Sequence, residues 1–248
     1  MIEWHDQAIV LSARPHGETA AVVQLLTLAH GRHAGLVRGG QGRQARGVLQ
    51  SGNRVAATWR ARLAEHLGAV TCELEASHAA RLMDDPDRLA ALISATAVSE
   101  RALPEREPHA ACFEGFLALL EALEGEHWAE AYVVWELALL AELGFGLDLG
   151  SCAAGGSNDQ LAYVSPRTGR AVSLAAGEPY RDRLLLLPGF LTGRGGGGSE
   201  EVGQGLHLTG FFLERFVFGP QDRPLPQPRR RLSDRFPEPL VSARETSR

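Results

Sequence analysis

The sequence predicts a multidomain α+β chain in which a small N-terminal β-barrel precedes an α-helical domain and a mixed C-terminal part. Three observations lead there. Short apolar runs with period-two alternation fill residues 1–80, apolar residues at helical spacing fill 81–150, and the charge changes sign between segments. The formal net charge is −5 over 248 residues, yet residues 1–80 carry eight Arg against six acids, 81–150 four against fourteen, and 151–248 thirteen against ten. Residues 14–62 hold all eight of the first group and a single acid, Glu18. A hydrophobic fraction of 44% is enough to bury a core.

The barrel elements come first. Ala8–Leu11 and Ala20–Leu26 are apolar runs separated by Arg14-Pro15-His16-Gly17-Glu18, rich in turn formers. A third strand is expected over Arg32–Arg38. In Val55–Leu63 the residues Val55, Ala57, Trp59, Ala61 and Leu63 share one face, and Thr58, Arg60 and Arg62 the other. Val70–Glu75 alternates in the same way. Five short strands in about 80 residues fit a closed or nearly closed barrel, with an OB-fold as the leading candidate. Trp59, on the face of Val55 and Leu63, is expected in the core. Arg38–Gly47 reads as a flexible glycine-rich loop with three guanidiniums and no acid.

The helical segment opens at Asp85-Pro86, an N-cap followed by proline at the first helical position. Leu89, Leu92, Ile93 and Thr96 continue it towards Pro104. Phe113, Phe116, Leu117, Leu120 and Leu123 form a second stripe. Trp128, Tyr132, Trp135, Leu139 and Leu143 form a third, read as core between antiparallel helices. Farther on, Tyr163–Arg170 reads as strand and turn, and Leu184–Leu187 as an apolar run stopped by Pro188. Gly193–Gly205, with seven glycines, reads as a mobile linker, and Leu206–Phe218 as a last helix with Thr209 inside it. From Pro220 a tail with six prolines and Arg229-Arg230-Arg231 is expected to be extended or disordered. The expected divisions are therefore 1–80, 81–150, 151–192, 193–219 and 220–248.

Composition excludes several chemistries. All 25 basic residues are Arg, so a Walker A lysine, a Schiff-base lysine and a lysine general base are absent. Cys72, Cys112 and Cys152 stand forty residues apart, giving neither a disulfide framework nor a CxxC pair. HExxH and GxSxG do not occur, and the His30/His33 pair lacks further ligands at metal spacing. Gly193–Gly198 formally matches GxGxxG but lacks the strand before and the helix directly after it. The acidic Met1–Asp6 start and the absence of an apolar run of roughly 18 residues suggest a cytoplasmic chain. No catalytic residue, cofactor or metal is expected. The arginines remain, and several cations within one Debye length, about 8–10 Å, suit a phosphate chain or an acidic protein.

Several segments in order resemble one family. Ile9–Thr19, Leu26–Arg32 and Val37–Gly40 are similar to the N-terminal domain of the RecO recombination mediators. Trp135–Phe145, leading to Leu149 and Cys152, resembles their central helix and its approach to a zinc-binding segment. Tyr163–Arg170, Leu187–Leu191 and Gly205–Leu213 resemble later blocks, so the similarity spans about residues 5–232. The resemblance implies an OB-fold followed by a helical domain with an inserted zinc-ribbon-like element. It also implies a non-enzymatic protein that binds single- and double-stranded DNA and anneals complementary strands. With RecR, and sometimes RecF, such proteins load RecA onto DNA coated by single-strand-binding protein, whose acidic C-terminal tail they bind.

On that reading Arg14, Arg32, Arg38, Arg43, Arg46, Arg60 and Arg62 would contact phosphates. Arg101, Arg106 and Arg215 are the candidate cations for the partner tail. The chain departs from the family over zinc. Where many members place two CxxC pairs, it keeps Cys152, has Gly155 at the next ligand position and no later cysteine. One thiolate cannot make a tetrahedral site, so the inserted element is expected to lack zinc. The alternative function is a scaffold whose arginines bind acidic proteins.

Overall fold

A computed structural model of the chain describes residues 1–155, 158 and 160–237. Among these, residues 1–128 with 226–229 form one compact unit, and 129–225 with 230 onward form a second.

The first unit begins with β1 (Ile2–His16), β2 (Ala20–Thr27), β3 (Gly31–Val37), β4 (Arg54–Ala61) and β5 (Ala69–Ala76). Among the described residues they close into a barrel in the order β1-β2-β3-β5-β4. β1 is longer than the expected Ala8–Leu11 because it serves two neighbours. Its first half pairs with β4 and its second with β2, and the register shifts at a bulge between Val10 and Ser12 that bends the strand. Arg14, Pro15 and His16 thus belong to the strand, and the turn starts at Gly17, at φ 59°. A single parallel pair, Leu36 with Ala69, closes β3 on β5.

Alternation places Val55, Ala57, Trp59 and Ala61 inside with Val10, Val23, Leu25 and Val70. Leu63 departs from this pattern, since β4 ends at Ala61 and Leu63 is exposed. The indole of Trp59 donates to the Leu67 carbonyl at 2.9 Å, a Cβ on Gly68 would strike its ring, and one on Gly35 would strike Val70 beside it.

The expected flexible loop over Arg38–Gly47 is instead a turn through Gly39 followed by α1 (Arg43–Val48). Buried Asn53 holds the end of α1, its amide donating to the Gly47 and Val48 carbonyls at 2.9 and 3.2 Å. Beyond α2 (His78–Arg81), α3 (Pro86–Ala102) starts as expected, with the Asp85 carboxylate accepting from the Asp87 and Arg88 amides. Its buried face is Ala91, Leu92, Ala95, Val98 and Ala102, whereas Ile93 is exposed. α4 (Ala110–Ala122) buries Phe113, Phe116 and Leu120. The expected boundary at residue 80 is not where the units divide, because α3 packs on β1 and β2 and belongs with the barrel.

α5 (Trp128–Glu142) carries the third stripe, with Tyr132, Trp135 and Leu139 buried. In the second unit, β6 (Leu161–Val164), β7 (Ala171–Ser173) and, after α6 (Leu174–Gly177), β8 (Leu185–Leu186) make a sheet of order β7-β6-β8. α7 (Ser199–Phe212) runs into a π-helical turn over Leu213–Phe218. The expected linker therefore stops at Gly198. Gly203 and Gly205 are helical, and a Cβ on Gly205 would collide with Val133, so the glycine permits close packing on α5. Thr209 donates to the buried Glu136 carboxylate at 2.5 Å, and the Tyr132 hydroxyl donates to it at 3.1 Å.

The tail expected to be disordered contains α8 (Gln227–Ser233), anchored by buried Leu225, Arg229 and Leu232; positions 238–248 lie outside the described residues. No helix of the described residues is long and apolar enough to cross a membrane.

Candidate nucleic-acid interface

Strand register builds the site. Glu3 faces Arg60 and His5 faces Thr58 across β1–β4, while Thr58 faces Thr71 across β4–β5. With Arg38 just after β3 and Arg62 just beyond β4, the side chains of His5, Thr58, Arg60 and Thr71 line an open groove of about 960 Å³, floored by Leu36, Val37 and Ala69. Arg38, Arg60 and Arg62 are exposed. Arg60 pairs with Glu3 at 2.9 Å, whereas Arg38 and Arg62 have no ion pair among the described residues. Glu73 is the acid lining the groove, so its cations outnumber its carboxylates.

The other expected contacts separate. Arg43 lines a neighbouring depression of about 420 Å³ that shares Val37 with the groove, and Arg46 lines a third of about 340 Å³ with Pro15 and Gln41. Arg32 is turned elsewhere. Its side chain is only 15% exposed and donates to the Leu103 carbonyl at 2.8 Å and to Gln24 and Glu105 at 3.1 Å each. Arg14 is exposed but reaches Glu100 of α3 at 2.6 Å. Of the seven arginines, then, three meet in the groove, two flank it on α1, and two point to the helical side.

The tail candidates also divide. Arg106 adopts φ 61° and donates to the Ala64, Glu65 and His66 carbonyls, binding down the loop between β4 and β5. Its amide also donates to the Arg32 carbonyl at 2.8 Å, and a Cβ on Gly31 would hit the Glu107 backbone, so residues 105–107 form a strap on β3. Arg101 is half-buried in the last turn of α3. Arg215 is exposed, its guanidinium carbon 5.4 Å from the ring centre of Phe216 and 5.9 Å from that of Phe211. Phe145, itself exposed, stacks on Phe216 at 5.3 Å.

Trp59 is 2% exposed, in the core as expected, and stacks on Trp4 at 5.6 Å. His30 stacks on the same Trp4 and pairs with Asp6 at 2.9 Å. Buried His33 meets Trp4 and Trp59 edge-on, and its ring nitrogens have no hydrogen-bond partner among the described residues. Desolvation, then the nearby Arg106 charge, lower its pKa to about 4. Burial pushes the Cys72 thiol, beside Arg43, up to about 12, so it stays protonated and un-nucleophilic at neutral pH. Cys152 is buried, and the Ser173 amide donates to its Sγ at 3.3 Å. Among the described residues no group of three or more His, Cys, Asp or Glu could hold a metal ion. A zinc centre does not fit this donor set.

Sequence reasoning missed His5, Thr71 and Glu73 as groove residues. Thr58 and Arg60 were legible from alternation; His5 was not, because the start of β1 lacks a continuous apolar run.

Comparison with known proteins assigns the chain. The family model described as Recombination protein O N terminal matches residues 1–77, and that described as Recombination protein O C terminal matches 83–221. A DNA repair protein RecO from Rhodospirillum centenum is 65% identical over 237 residues, covering 95% of each chain. Proteins of the same name from Rhodospirillum rubrum and Phenylobacterium zucineum are each 53% identical, covering 95% and 96% of this chain and 97% and 98% of their own. With both family models and nearly the full length matched, the chain belongs to the RecO family of DNA repair proteins.

Proposed function

We propose that this RecO-family chain is a recombination mediator that binds single- and double-stranded DNA through its barrel and anneals complementary strands. With RecR, and with RecF where required, it would load RecA onto DNA coated by single-strand-binding protein. The barrel is read as an OB-fold, whose strands and adjoining loops commonly carry oligonucleotides. The observation that carries the reading is the groove in which Arg38, Arg60 and Arg62 converge, two of them without an acidic partner among the described residues. Guanidiniums there can each bridge two phosphate oxygens, a contact that carries no sequence information. Arg43 and Arg46 extend the track along α1. Arg14 and Arg32, held by Glu100 and Glu105, drop out of the contact set.

For the tail of single-strand-binding protein, Arg215 is favoured over Arg101 and Arg106. An acidic peptide ending in an apolar residue needs a cation beside exposed apolar surface, which Arg215 offers with Phe145, Phe211 and Phe216. The three carbonyls on Arg106 leave it committed to the barrel. The inserted sheet is read as a zinc-ribbon-like element without its metal.

The test is annealing of complementary strands coated with intact or tail-deleted single-strand-binding protein. Annealing that needs the intact tail and falls on substitution of Arg215 supports the whole reading. Absence of oligonucleotide binding at moderate salt, with binding to acidic proteins retained, would instead favour a scaffold.

A further inference from the structure

Residues 222–235 hold five arginines against two aspartates, a concentration that the barrel reading does not use. α8 orders part of this segment. Buried Arg229 and Leu232 fix one side of the helix, which leaves Arg230 and Arg231 exposed. Neither has an ion pair among the described residues. Helical bonding continues past Ser233, with the Asp234 amide donating to the Arg230 carbonyl and the Arg235 amide to that of Leu232. At 1.5 Å per residue, Arg230, Arg231 and Arg235 span about 8 Å along the axis, within a Debye length. Exposed Arg223 precedes them. Elsewhere in the second unit Arg170 reaches Asp148 and Arg181 reaches Glu178, each at 3.2 Å; Arg167 and Arg183 are exposed too, but not as neighbours on one helix.

We infer that the exposed face of α8, with Arg230 and Arg231 at its centre and Arg223 and Arg235 beside them, is a second binding surface for the phosphodiester backbone of nucleic acid, distinct from the barrel groove. Anchoring matters because a backbone already ordered as a helix loses less conformational entropy on meeting phosphates than a free tail does. A nucleic acid fits this face better than an acidic protein does. A protein interface needs an apolar centre, and here Leu225, Pro226 and Leu232 are all buried, whereas a phosphate chain needs only spaced cations.

The test uses the full-length chain and a fluorescein-labelled oligo-dT of about 30 nucleotides. R230A/R231A should lower the slope of log K against log salt by about 1.4 and the affinity at 0.1 M salt by roughly tenfold, and R230K/R231K should restore most of both. An R38A/R60A/R62A variant assayed in parallel separates the two surfaces. If it loses binding while R230A/R231A does not, the groove reading stands and the α8 surface is wrong. If R230A/R231A loses only an Asp/Glu-rich peptide and keeps the oligonucleotide, the face binds acidic protein and the inference is likewise overturned. Footprinting of the unmodified protein removes any dependence on variant folding. Oligo-dT should protect Arg230 and Arg231 from phenylglyoxal, and unprotected arginines would contradict the inference.

Discussion

Arg60 and Arg32 carry the same group on the same barrel and meet different surroundings. Around Arg60, Arg38 and Arg62 the strands turn outward into an open groove, and the acids present, Glu3 and Glu73, are too few to neutralise it. Around Arg32 and Arg14 the acidic helical segment supplies Glu105 and Glu100, and the Leu103 carbonyl takes a further donor. Charge density along the sequence therefore does not identify a binding arginine. What decides is the local balance: Glu3 reaches Arg60 but leaves Arg38 and Arg62 beside it without an acidic partner among the described residues, whereas Arg14 and Arg32 are each paired.

That contrast can be broken from either side. The largest effect is expected from charge reversal in the groove, where R38E/R60E/R62E should weaken oligonucleotide binding more than 100-fold at moderate salt with little change in melting temperature. Fluorescence anisotropy beside a thermal melt checks this, and a parallel fall in both would mean that the groove is structural. Acid acts on the inner side. His33 titrates near 6.5 when unfolded and about 4 when folded, so it contributes nothing above pH 6.5. As pH falls from 6.5 towards 4 the unfolded chain takes up a proton that the folded chain refuses, and stability drops by ~2–4 kcal/mol. Urea titrations across that range should show the loss, and H33F should flatten it.

Substituting the strap comes next. R106A removes three carbonyl contacts, and R32A opens the Leu103–Gln24–Glu105 set. Each should cost about 2 kcal/mol in chemical denaturation while oligonucleotide affinity changes less than threefold. The smallest effect belongs to R14A. Its guanidinium is 72% exposed, and a screened surface pair contributes under about 1 kcal/mol.

The legible parts were those governed by local periodicity. Alternation in Val55–Ala61 placed Trp59 inside and Arg60 outside, and Asp85-Pro86 marked the start of α3. Three features were not local. The length of β1 comes from having two partners and a bulge between them. The helicity of Gly203 and Gly205 goes with close packing, on the Pro237 backbone and on Val133 respectively, which outweighs poor intrinsic propensity. Ordering of α8 rests on the buried Arg229, whose burial no sequence window reveals. In the site, the contacts that hold Arg32 and Arg106 were hidden for the same reason. Their partners lie 71 to 73 and 40 to 42 residues away, beyond any spacing rule.

The most direct test removes equal charge from the two sides and compares the salt dependence of binding. For wild type, R38A/R60A/R62A and R14A/R32A/R106A, log K for single-stranded oligonucleotide is measured against log salt at a temperature where all three are folded. The groove variant should lose about 2 from the slope, near 0.7 for each phosphate contact removed, and the other triple should keep the wild-type slope. Equal losses in the two triples would contradict the claim that the groove, and not the arginine content of the barrel, binds the strand.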